Sequence, residues 1–153
     1  MGAITGKILC SAIMANSAFF GDAGTSRGCE YSTQIVASAI KHDVDPHLLA
    51  ALVHVESNWK KGVVSKSGAC GLTQVLHKYS KFSCKELKDS KTGLDEGARK
   101  LNFWINKYGG GKTKIGLCGY NAGFRCKGKN ANKRGLKYAK KVLAVRNKLK
   151  NKK

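Results

Sequence analysis

The sequence predicts a mainly α-helical single domain with little or no β-sheet. Apolar residues recur at helical spacing in several segments, as with Leu101, Trp104, Ile105 and Tyr108. Helix start signals precede them, Asp45-Pro46 being the clearest, and glycines follow them, as at Gly109-Gly110-Gly111. No segment alternates apolar and polar residues with the period of a strand. At 153 residues the chain has the size of one domain and can bury a core without disulfides or a metal. Its 42% hydrophobic and 25% charged residues exclude wholesale disorder. No apolar run reaches the roughly 18 residues needed to cross a membrane.

Taken in order, residues 1–20 admit two readings. One lysine, an apolar run (Ile8–Phe20) and the small residues Ala15-Asn16-Ser17 outline an export signal; the alternative is an ordinary N-terminal core helix. Gly21–Gly28 reads as a loop. Glu30–Lys41 reads as a helix with Ile35, Val36, Ala39 and Ile40 on one side. Asp45 is the expected N-cap and Pro46 the first residue of a strongly apolar helix that runs to Trp59. Lys60–Gly71 is a loop, Leu72–Tyr79 a short helix and Lys88–Gly93 a turn. Asp95–Tyr108 is a helix with acids in its first turn. Ile115–Asn121 is a short helix and Ala122–Asn132 a loop. Gly135–Lys153 is a basic helix with an apolar face that includes Tyr138. The expected division is an N-terminal apolar segment (1–20), one domain (21–145) and a basic tail (146–153).

The net charge is +20, and it is lopsided. Residues 97–153 hold 18 of the 29 Lys/Arg and none of the 9 acids. Such a field favours polyanions: nucleic acid, anionic membrane or envelope polymers. Specific nucleic-acid reading is not expected, since no RNP, helix-turn-helix or zinc-finger pattern is present. The six cysteines form no CxxC pair. Two readings remain, buried thiols in a reducing compartment or disulfides in an oxidising one; the glycine-rich, loop-like settings favour disulfides, with 15 pairings open. His42, His47, His54 and His77 show no HExxH spacing, so neither a metal nor a cofactor is expected.

Glu56 is the residue that looks chemical. It lies near the end of the most apolar helix, among Leu49, Leu52, Val53 and Trp59. A carboxyl in such surroundings holds its proton to higher pH and can serve as a general acid. The alternative is a solvated stripe on an amphipathic helix. Ser65 follows nine residues later, then Gly68-Ala69-Cys70-Gly71-Leu72-Thr73-Gln74, a loop whose glycines allow close approach of a ligand. Gly119-Tyr120-Asn121-Ala122-Gly123 places a Tyr and an Asn at a helix end.

In this order and spacing, these pieces resemble the catalytic domain of soluble lytic transglycosylases, related to goose-type lysozyme. The matches are Glu56-Ser57, Ser65, Gly71-Leu72-Thr73-Gln74, Gly97 and Tyr120-Asn121-Ala122-Gly123, within about residues 30–145. Thr73 stands where the family usually has Met, and Gly93 where the Asn of an Asn-x-x-x-Gly turn is expected. The resemblance implies a lysozyme-like fold and cleavage of the MurNAc-β-1,4-GlcNAc bond of peptidoglycan with 1,6-anhydromuramic acid formation, Glu56 acting alone as acid and base. It implies substrate contacts from Ser65, Thr73, Gln74, Tyr120 and Asn121. Hydrolysis by a muramidase mechanism, and a basic polyanion-binding protein without catalysis, are the alternatives. An extracytoplasmic monomer is expected, acting on glycan strands in periplasm or cell wall and held to anionic polymers by its basic C-terminal region. Cys70 and Cys84 bracket the Gln74 segment and Cys118 and Cys126 bracket the Tyr-Asn-Ala-Gly turn, so disulfides there would fix two walls of a cleft.

Overall fold

A computed structural model describes residues 4–151, which contain seven α-helices and one two-stranded antiparallel sheet. Helix α1 (Gly6–Ala15) is capped by Thr5, whose hydroxyl accepts from the Ile8 N–H. Leu9, Ala12 and Ile13 of α1 are fully buried in the same core as Leu149 near the other end of the chain. Asn16 then turns the chain, its amide donating to the carbonyls of Ala12 (2.9 Å) and Lys148 (3.2 Å). Met1–Ala3 and Lys152–Lys153, which belong to the apolar segment and the basic tail read from the sequence, lie outside the described residues. Residues 146–151 continue the last helix.

The expected loop at Gly21–Gly28 is helical. Helix α2 spans Ser17–Lys41, with one kink at Gly21. Each helical glycine costs about 1 kcal/mol relative to Ala. Here Gly24 and Gly28 are buried and let the fully buried Trp59 and Ile13 lie against the helix, so packing overrides propensity. A disulfide joins Cys10 of α1 to Cys29 of α2.

Helix α3 (Pro46–Ser57) begins as its sequence requires: Asp45 accepts from the His47 N–H at 3.0 Å and Pro46 follows. It runs through the core, with Leu48 through Val53 all buried. It ends where Asn58 and Trp59 turn left-handed (φ 52° and 63°).

The expected helix at Leu72–Tyr79 is instead a turn, strand β2 (Val75–Leu76) and a 3-10 turn (His77–Tyr79). Strand β2 pairs with β1 (Ala69–Cys70). Two-residue strands carry no readable period, and left-handed Gln74 (φ 52°) breaks any helix at that point. Cys70 is bonded to Cys84, at the start of the short helix α4 (Cys84–Leu87), which Ser83 and Glu86 cap reciprocally.

The expected turn at Lys88–Gly93 is the start of helix α5 (Ser90–Asn102), capped by Asp89. The expected Asn-x-x-x-Gly turn is therefore one face of a helix, with Gly93 and Gly97 a turn apart. A side chain at Gly93 would meet the Leu87 carbonyl, and one at Gly97 would overlap Thr73. The two positions are empty so that α4 and the Leu72–Gln74 turn can touch the helix. After α5 the chain widens into a π-helical turn (Phe103–Tyr108), a feature often found at functional sites. Helix α6 (Thr113–Ala122) and helix α7 (Lys133–Asn151) complete the fold. The Cys118–Cys126 disulfide closes the loop after α6. Each of the three disulfides is worth about 3 kcal/mol through restriction of the unfolded chain.

Candidate functional site

Glu56 lies one residue before the end of α3, at the contact with α7. Its carboxylate accepts one hydrogen bond, from the Tyr138 hydroxyl of α7 at 2.7 Å. Burial pushes its pKa from 4.5 up to about 7, with the Tyr138 hydrogen bond opposing in part. No other carboxylate among the described residues contributes to the shift. Burial also raises Tyr120 and Tyr138 well above the usual phenol value, and the Glu56 charge adds to both. Glu56 and Tyr138 are in direct contact, and Tyr120 is close enough to feel the Glu56 charge.

Ser57 secures this end of the helix. It is buried, and its hydroxyl lies 3.1 Å from the Val53 carbonyl and donates to the Leu72 carbonyl at 2.8 Å. The Leu72–Gln74 turn is thus tied to the residue next to Glu56. The same turn holds Tyr120, whose hydroxyl donates to the Thr73 carbonyl at 2.7 Å.

Thr73 corrects an expectation. Expected to line the cleft, it is wholly buried, and its hydroxyl donates to the Gly93 carbonyl at 2.6 Å. Its side chain reaches no solvent because it fills the space that Gly93 and Gly97 leave on α5. Gln74 faces the groove, but its amide nitrogen is engaged by the carbonyls of Val63 (2.9 Å) and Gly71 (3.0 Å). Only its oxygen is left for a ligand. Ser65 is half-buried and accepts from the Ala69 N–H at 3.0 Å; it braces its own loop and is not on the groove wall.

A groove of about 650 Å³ runs between the Gln74–Tyr79 segment and the Tyr120–Arg125 segment, floored by Trp104. Glu56 is not on its wall. The groove and the carboxyl meet at Tyr120, which lines the one and feels the charge of the other. Asn121 lines the same wall and is exposed.

Sequence reading missed Tyr138 as a site residue. It stands 82 positions from Glu56 and looks like any apolar-face tyrosine on a basic helix; nothing local marks it. Glu96 is one of the acids expected in the first turn of the Asp95–Tyr108 helix. It is 2% exposed and held by Arg99 (2.7 and 3.1 Å) and Ser80 (2.7 Å).

A mainly helical domain with a glutamic acid raised to about 7, and an open groove that shares Tyr120 with the surroundings of that acid, has the form of a lysozyme-like domain. The family model of the transglycosylase SLT domain matches residues 34–143, and the chain belongs to that family. Membership supports a lytic transglycosylase activity on peptidoglycan. The three disulfides fit an oxidising, extracytoplasmic setting, and no helix among the described residues is long and apolar enough to cross a membrane.

Proposed function

We propose that the protein cleaves the β-1,4 bond between N-acetylmuramic acid and N-acetylglucosamine by a one-carboxylate mechanism. The carrying observation is Glu56 raised to about 7 with no second carboxylate among the described residues acting on it. Protonated Glu56 gives its proton to the leaving glycosidic oxygen as the C1–O bond breaks. The substrate's N-acetyl group stabilises the positive charge left at C1. Ionised Glu56 then takes the proton of the muramic acid 6-hydroxyl, whose oxygen bonds C1. The product is 1,6-anhydromuramic acid, no water is consumed, and Glu56 regains its proton.

Tyr138 holds the carboxylate in place and stabilises its charged form after the first transfer. Tyr120 and Asn121 contact the sugar beside Glu56, and the Gln74 oxygen accepts from a sugar hydroxyl or amide. Ser65 acts through its loop or on the N-acetyl group. Thr73 positions Tyr120 and does not touch substrate. The protein acts outside the cytoplasm as a monomer, and its basic C-terminal region holds it to anionic envelope polymers.

Digestion of purified peptidoglycan tests the reading. Released muropeptides are expected to be one water lighter than hydrolytic ones and to be absent with Glu56→Gln. Ordinary reducing ends would make the enzyme a muramidase. Products from both proteins would remove Glu56 from the chemistry.

A further inference from the structure

Both lips of the groove carry an exposed aromatic ring with a cation beside it. On one lip Tyr79 is 68% exposed, and Lys78 lies over its ring at 5.1 Å. On the other Phe124 is 72% exposed and Arg125 follows it. Lys100, on α5, reaches across to the Tyr79 carbonyl at 3.0 Å. Lys78, Lys100 and Arg125 all line the groove, no acid does, and none of the three is within ion-pair distance of a carboxylate among the described residues. Acids nearby are committed elsewhere: Glu96 to Arg99 and Ser80, Glu56 to Tyr138.

Uncharged N-acetyl sugars give no reason for three unpaired cations along their path. The aromatic rings suit the apolar faces of pyranose rings. The cations need anions, and a peptidoglycan strand supplies them at regular intervals, as the carboxylates of the stem peptides borne on its muramic acid residues. Charge-assisted bonds from Arg and Lys are the usual way to hold a carboxylate.

Resting on the transglycosylase reading, we infer that this groove recognises the stem peptide as well as the sugar, with Lys78, Lys100 and Arg125 forming a subsite for peptide carboxylates. The enzyme then prefers strands whose peptides keep free carboxylates over strands that are amidated or bare.

The test uses the full chain, its Lys78→Gln/Arg125→Gln variant and a Lys140→Gln/Lys141→Gln control on α7. Lys100 is left because it also holds the Tyr79 carbonyl. Three substrates are compared: peptide-bearing strands, the same strands with peptide carboxylates chemically amidated, and strands stripped of peptide. The parent is expected to show kcat/KM about tenfold higher on free than on amidated peptides, as befits two partly exposed charge pairs. The groove variant should bring that ratio close to one, and the α7 control should keep it. An unchanged ratio in the groove variant, or an equal fall in the control, would overturn the subsite. A variant effect greatest on stripped strands would mean that the lactyl carboxylate is read, and would overturn the peptide assignment. Cosedimentation of Glu56→Gln with the three substrates reads the same preference without turnover. A preserved binding preference in a parent that releases no anhydro product would refute the reaction and leave the subsite standing.

Discussion

The contact between α3 and α7 and the packing of α5 against the 3-10 turn each hold a glutamate away from bulk water, and the two end in opposite states. Glu56 has one neutral hydroxyl for company, and burial lifts it to about 7. Burial would lift Glu96 as well, but hydrogen bonds from Arg99 and Ser80, with the Arg99 charge, hold it below the ordinary carboxylate value. Partners and not burial decide which carboxyl keeps its proton. The same comparison separates an acid that can hold a proton near neutrality, Glu56, from one committed to Arg99 and Ser80, Glu96.

The comparison breaks most sharply at Glu56 itself. Glu56→Gln is expected to lower anhydro-muropeptide release at least about a thousandfold, within the range for a general acid, with an unchanged circular dichroism spectrum. A residual rate within tenfold of the parent would remove the distinction. At the other glutamate the effect is on stability. Arg99→Leu leaves the buried Glu96 charge with the Ser80 hydrogen bond and the more distant Lys100 charge. It should cost about 2 kcal/mol at neutral pH in urea unfolding, less than a fully buried pair because Arg99 is half exposed. Glu96 has a lowered pKa, so its pairing stabilises above the usual carboxylate pKa and is lost as pH falls through the folded value. Variant and parent should therefore converge in acid.

Glu56 has the opposite sign. Between 4.5 and about 7 the folded chain binds a proton that the unfolded chain does not, so its contribution declines as pH rises across that window. Glu56→Gln should be more stable than the parent by about 3 kcal/mol at pH 8 and little different at pH 4. Equal stability at both would mean that the carboxyl is not raised. The rate follows the same proton: kcat/KM should fall as pH rises through about 7. Tyr138→Phe removes the one bond that favours the charged form and should move that limb upward by about one pH unit. The smallest expected effect lies between the two regions. Thr73→Val deletes the hydroxyl bond to Gly93 while keeping the shape, at about 1 kcal/mol in chemical denaturation.

Some features were legible because they are local. Asp45-Pro46 starts α3 where its capping chemistry says it should, and Asp45 is further held, to about 2, by His47 and Lys150 against its burial. Glu56 among leucines and valines was visible as a candidate for a perturbed carboxyl, although spacing alone left a solvated stripe open as well. Cys70–Cys84 and Cys118–Cys126 formed as their positions around the two cleft segments suggested. The lopsided charge is a count, and needed no fold to be seen.

What the sequence could not determine depends on residues brought together from far apart. Gly21–Gly28 looks like a loop until Trp59 and Ile13 are laid against Gly24 and Gly28. Leu72–Tyr79 looks helical until the Cys70–Cys84 bridge and the left-handed Gln74 fold it into a turn and a strand. Thr73 looks like a cleft residue until Gly93 and Gly97 open a space for it on α5. Glu56 keeps its proton through burial, against a hydrogen bond from a tyrosine 82 residues away, and the charge of Glu96 rests on Arg99 and Ser80. Helix caps and periods are properties of a few consecutive residues. Dielectric surroundings and hydrogen-bond partners belong to the assembled interior, and only the tertiary structure supplies them.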